Sequence, residues 1–168
     1  MLGKHCKVYY LSAGDRESWG DADTDTGRAT DVAPADLDEI KSVKDLTLPG
    51  ERDAAESSDR GADAKTEDVG AWGGRLTLTL NHRTDDDARV ALEAAFITRA
   101  PIALAILNGD KNVGGVTGLW ADFLVVKFEE SQPEKEHVTY SVELAIYDVP
   151  GATVVPPEWV ECVEPTIP

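Results

Sequence analysis

The residues of this chain whose chemistry could reach beyond packing are three histidines, two cysteines, two runs of aspartate and four tryptophans. His5, His82 and His137 have no metal-ligand spacing and stand beside no nucleophile motif, so they read as exposed strand or loop histidines. Cys6 and Cys162 lie far apart without a CxxC spacing, which supports neither a zinc site nor a disulfide framework. The run Asp21-Ala-Asp-Thr-Asp-Thr-Gly27 starts as a calcium loop starts, with carboxylates at alternate positions. Its glycine falls one place late, however, and Val32 stands where such a loop needs its glutamate, so a solvated acidic arm fits better. Asp85, Asp86 and Asp87 could be imagined around a divalent metal, but a helix start explains them fully. Gly73-Gly74 and Gly114-Gly115 lack the lysine and the strand-to-helix context of a phosphate loop, and read as turns. Trp19, Trp72 and Trp159 sit in polar or proline-rich text, where aromatics serve as anchors against another subunit better than as a carbohydrate platform. No catalytic constellation emerges and no cofactor is called for. The chain reads as an assembly subunit rather than an enzyme.

The elements that would carry such a subunit are clearest between residues 75 and 147. Arg75 to Asn81 alternates strictly, with Leu76, Leu78 and Leu80 on one face and Thr77, Thr79 and Asn81 on the other. Thr84 followed by three aspartates predicts an N-cap and a helix start. Ala88, Ala91, Leu92, Ala95 and Phe96 then form one apolar stripe, and Pro101 ends the helix after roughly four turns of ~3.6 residues. Ile102 to Leu107 is continuously apolar and closes on Asn108-Gly-Asp110, as a strand buried on both faces would. Residues 118–130 and 136–147 predict an antiparallel hairpin. Its second strand places Val138, Tyr140, Val142, Leu144 and Ile146 on one face and His137, Thr139, Ser141 and Glu143 on the other. Its first strand carries bulk on both faces, Leu119, Phe123 and Val125 opposing Trp120, Leu124, Val126 and Phe128.

The amino-terminal half differs in kind. Residues 6–11 and 40–48 read as strands, but 12–39 and 49–74 are long, polar and acidic connections with almost no apolar periodicity. Connections of that length in a small domain are functional loops or arms that order against a partner. The 168 residues bound a single domain, with 42% hydrophobic and 29% charged residues as in ordinary globular chains. Sixteen basic against 32 acidic residues give a formal net charge of −16, which argues against binding nucleic acid or anionic lipid through a basic face. No apolar stretch approaches the ~20 residues of a membrane span, and no amino-terminal signal is evident, so synthesis in the cytoplasm is expected.

Residues 2–10, the strand Val43-Lys-Asp-Leu-Thr-Leu48 and its lead-in from Ile40, the strand and capped helix of 76–99, the strand at 101–107 with Asn108-Gly-Asp110, and the closing hairpin together resemble the major tail tube proteins of long-tailed bacteriophages. The likeness runs over nearly the whole chain and departs at the acidic stretch 15–38, which is longer than the family's pattern. It implies a mainly β fold, an antiparallel β-sandwich or partial barrel with one flanking helix and long loops. The single tail-tube domain, 1–168, would carry an acidic arm at 12–39, a stacking loop at 49–74 and a proline-rich tail at 149–168.

The resemblance further implies six copies closed into a ring, rings stacked into a hollow tube, and DNA passing through without specific binding. Other tail proteins, such as a tape measure and a tail terminator, would be the partners, the virion tail the location and the host bacterial cytoplasm the place of synthesis. Trp19, Pro49, Arg52, Arg60, Trp72 and Trp159 are the candidates for contacts between subunits and rings; Thr139, Ser141 and Glu143 are the candidates for the channel wall. The competing expectation is a β-sandwich binding module, a virion decoration or carbohydrate-binding domain that uses its tryptophans as contacts.

Overall fold

The computed structural model describes residues 6–13, 16, 19, 21–22, 29–30, 36–47, 52–57, 66–72, 75–132, 137–147 and 157–162. Twelve strands and one helix follow in chain order: β1 (Lys7–Leu11), β2 (Asp21–Ala22), β3 (Ala29–Thr30), β4 (Leu37–Glu39), β5 (Val43–Thr47), β6 (Arg52–Ser57), β7 (Thr66–Trp72), β8 (Arg75–Asn81), α1 (Asp87–Thr98), β9 (Ile102–Leu107), β10 (Thr117–Ser131), β11 (Thr139–Ile146) and β12 (Glu158–Glu161). The protein is mainly β, with one eight-stranded antiparallel sheet ordered β4-β1-β9-β10-β11-β8-β5, β12 joining it alongside β10. Two separate hairpins, β2–β3 and β6–β7, lie within the stretches expected to be irregular arms.

The two ends of the sheet, β4 and β5, are separated only by Ile40, Lys41 and Ser42. Four Cα steps of ~3.8 Å cannot span a flat sheet, so the sheet curls until its ends meet. The corner is pinned on both sides: the Ile40 amide donates to the Val8 carbonyl at 2.8 Å, and the Asn81 amide donates to the Ser42 carbonyl at 2.8 Å. The other corner is β10 itself. Up to Phe123 it pairs with β9, and from Phe123 to Ser131 it pairs with β11. The result is a partial barrel, one wall built on β1 and β9 and the other on the second half of β10, β11, β8 and β5.

Inside lies the main core, in which Leu76, Leu78 and Leu80, Tyr140, Val142 and Leu144 meet Leu104, Ile106, Leu119 and Phe123. The strict alternation of β8 produces its burial pattern directly, since leucines at every second position must share a face. β9 is buried along its whole length, its even-numbered residues in the main core and Ala103, Ala105 and Leu107 in a second cluster on the outer face. Gly118 permits the tight seam there, because a Cβ would collide with the Ile106 carbonyl. Gly115 holds the preceding turn at φ 79°.

Three expectations need correction. The cap of α1 is Asp86, whose carboxylate accepts from the Arg89 amide at 3.3 Å, two residues beyond Thr84; aspartate caps as well as threonine, and this start carries Ala88 into the core. The helix is 12 residues, with Arg99 left-handed at its end, and only Ala88, Leu92 and Ala95 are buried. Phe96 is 39% exposed and stacks on Phe128 at the rim. Finally, β10 does not keep one parity. An extra residue at Val126 separates the pairs Val125↔Leu144 and Lys127↔Glu143, and that bulge turns Phe128 to the core side with Phe123 while Val126 is left 47% exposed.

Candidate assembly surfaces

An extended polar surface follows from cross-strand register. Partners in an antiparallel sheet share a face, so the wall β10-β11-β8-β5 presents three polar rows to the side opposite the core and, beyond them, a fourth row of Leu124, Ala145 and the exposed Arg75. Lys127, Glu143, Thr77 and Thr47 form one row; Glu129, Ser141, Thr79 and Asp45 the next; Ser131, Thr139 and Asn81 the third. The candidate wall residues Thr139, Ser141 and Glu143 therefore stand side by side on β11, half-buried, in the middle of this face. Lys127 stands opposite Glu143 on the neighbouring β10, its ammonium 3.0 Å from Glu129 Oε2 and 3.7 Å from Glu143 Oε1. Those carboxylates, Glu129 first, raise its pKa.

Both ends of this wall are open. Among the described residues, no strand pairs the far side of β5, and none pairs residues 124–131 of β10 on the side away from β11. Val126 is 47% exposed at the β10 end and Phe96 stacks on Phe128 there, while on α1 Val90 is 52% and Ile97 71% exposed. Unpaired edges beside exposed apolar groups are the pattern of a surface that joins another chain.

The outer face of β9 and β10 is closed within the chain. Trp19 is 1% exposed and sets its ring edge-on to Trp120, with centroids 5.5 Å apart. Beside it the Arg16 guanidinium lies 3.0 Å from Asp122 Oδ2 and over the Trp120 ring, and Glu158 Oε2 accepts from the Trp19 amide at 3.0 Å. Trp19 is thus a core residue, not an available contact between subunits. The acidic arm starts as a strap across Trp120, a role its polar sequence does not reveal because its seat comes from residues about a hundred positions away. Trp19 and Trp120, both buried, are not available to a carbohydrate platform.

Trp159 on β12 is 72% exposed and remains a contact candidate. Arg52 and Trp72 are register partners at the base of the β6–β7 hairpin; Pro49, Arg60 and the Gly73-Gly74 turn lie outside the described residues. So do His5 and residues 23–27 of the calcium-like run, whose first two residues form β2. His82 Nδ1 is 2.9 Å from the Tyr140 hydroxyl. Cys6 packs against the main core and Cys162 in the outer cluster, and burial pushes the Cys6 thiol up.

A second ion network holds the 108–116 turn. Lys7 Nζ lies 2.9 Å from Asp110 Oδ2 and 3.1 Å from Glu39 Oε2, and Lys111 donates to the Leu37 carbonyl at 2.6 Å. A cleft of 380 Å³ opens between the Ile40–Ser42 corner and the start of α1, with Asp38, Glu39, Asp85, Asp86 and Asp87 among its lining. Among the described residues no group of three or more His, Cys, Asp or Glu side chains is arranged to hold a metal, and no helix is long and apolar enough to cross a membrane.

No family model and no curated protein matches the chain. Solved structures do. The SPP1 tail tube, a hybrid solid-state NMR and cryo-EM structure, matches with a TM-score of 0.64 at 12% identity, covering 98% of this chain and 80% of that one. A chain of the virion of a native gene transfer agent particle matches at 0.54 and 7% identity, over 78% of this chain and 92% of that one. A chain of the tail of an empty gene transfer agent particle, with C6 symmetry, matches at 0.53 and 8% identity, over 68% and 84%. The fold is that of these tail and virion proteins, and the SPP1 match makes it the tail tube fold.

Proposed function

We propose that this chain is the structural subunit of a phage-type tail tube, that six copies close into a ring, and that stacked rings enclose a channel for DNA. The observation that carries the reading is the polar wall with two open edges. In a ring, the β10 edge of one copy pairs with the β5 edge of the next, the sheet continues from copy to copy, and no edge is left to aggregate. A head-to-tail contact of this kind closes once the rotation per copy divides a full turn. The face bearing Thr139, Ser141 and Glu143 then lines the channel, where a net negative surface repels phosphate. The exposed helix residues Val90 and Ile97, with Trp159, supply apolar contact outside the sheet, and the β6–β7 hairpin reaches the next ring. The role is structural rather than catalytic, with the virion as location.

The edge pairing is tested by disulfide trapping. Thr47→Cys is combined in turn with a cysteine at Lys127, Glu129 or Ser131, which steps through the possible registers on one face. Cross-strand Cβ atoms ~4.5–5.5 Å apart on one face come within reach of a disulfide. One combination should give a ladder of covalent species that ends at six, absent from each single variant. No ladder from any of the three combinations overturns the reading.

A further inference from the structure

The lysine on the β10 edge of the polar wall is there because of a bulge. Without the extra residue at Val126, Lys127 would share the inward parity of Phe123 and Val125; with it, Lys127 is placed opposite Glu143, and Glu129 follows two residues later on the same face. Both carboxylates reach the ammonium, Glu129 at 3.0 Å and Glu143 at 3.7 Å. A bare lysine in this position would be an attractive site for phosphate among three rows otherwise made of hydroxyls, an amide and carboxylates. One positive and two negative charges instead leave the triad at −1.

We infer that Glu129 and Glu143 mask Lys127 against phosphate, so that a polyanion sliding along these three rows meets no bare ammonium; Arg75 stands in the row beyond them. The inference rests on the reading of the face as the channel wall. Its physical basis is multiplicity. A single exposed ammonium holds a phosphate weakly, but a wall that repeats it once per copy and ring presents DNA with many contacts at once, each adding about one unit to the salt slope of binding. Lys127, in turn, lets two glutamates sit close on neighbouring strands, where like charges alone repel.

The test compares three assembled tubes: unaltered, E129Q/E143Q, and K127Q/E129Q/E143Q, each incubated with duplex DNA shorter than the tube and then treated with nuclease. The double variant should retain at least about tenfold more protected DNA than the unaltered tube at ~50 mM salt and lose it by ~200 mM, and the triple variant should return to the unaltered level. Equal retention by double variant and unaltered tube overturns the masking and leaves the channel reading standing. Retention in which all the DNA is digested places Lys127 on the outside and overturns both. The unassembled chain gives a second readout independent of tube formation. On a heparin column, E129Q/E143Q should elute at higher salt than the unaltered chain, and the triple variant should not; coincident elution of all three overturns the masking.

Discussion

The Trp19 ring stands edge-on to that of Trp120, 5.5 Å between centroids, although the two are 101 positions apart in the chain. The strap beginning at Arg16 is therefore part of the outer core, and Trp19→Ala should destabilise the monomer by about 3–5 kcal/mol. Thermal unfolding of the unassembled chain reads this directly. An unchanged melting temperature would show that the strap does not seat in solution.

The ion pair between Arg16 and Asp122 tests the same strap electrostatically. Arg16 is almost completely buried and Asp122 nearly so, at 1% and 15% side-chain exposure. Asp122→Ala removes the carboxylate from a buried guanidinium and should cost about 3–5 kcal/mol, whereas replacing both residues with apolar ones of similar volume should recover most of that loss. A double variant no more stable than the single one would assign the loss to packing rather than to the removed carboxylate.

The two sides of α1 should separate in a melting experiment. Leu92 is fully buried, so Leu92→Ala should cost about 2–5 kcal/mol. Phe96, exposed at the rim, should cost about 1 kcal/mol as alanine. If Phe96→Ala destabilised the monomer more than Leu92→Ala, the observed seating of the helix would be wrong.

These contrasts mark how far the sequence speaks. β8 and β9 were legible to the residue, because strict alternation and an unbroken apolar run each have one structural solution. α1 was legible as a helix, but its stripe was wide enough to be rotated, and the spacing of Ala91, Leu92, Ala95 and Phe96 cannot say which of them the sheet covers. β10 misled over its second half because a bulge leaves no mark in composition; one extra residue at Val126 reverses the face of everything beyond it. The strap was illegible for a different reason. A tryptophan among aspartates looks like a surface anchor unless its partner, here distant in the chain, is known. The polar set on β11 was readable as a set, since alternation fixes shared faces, while the rows it forms with β10 and β8 required the register.

The turn network should respond to pH at both ends. Hydrogen bonds to Asp110 and then Glu39 hold the Lys7 pKa above its ordinary 10.5, so its stabilisation is complete below that value and fades as pH rises beyond it. The Asn112 amide, followed by Lys7, holds Asp110 below its ordinary 3.8, so that contribution is complete above 3.8 and fades as pH falls further. Asp110→Asn should therefore flatten part of the acid-side fall in melting temperature, and more so at low salt. An acid limb unchanged by the substitution would remove Asp110 from that role.

Electron microscopy of the purified chain decides the central claim, that this fold is a tube subunit whose polar wall faces a channel. Concentrated protein should form rings and stacked tubes with six-fold cross-section and an open bore. In averaged maps β11 should lie nearest the axis and α1 away from it. Protein that stays monomeric at every concentration, or tubes in which α1 lines the bore and β11 the outer surface, would contradict the account.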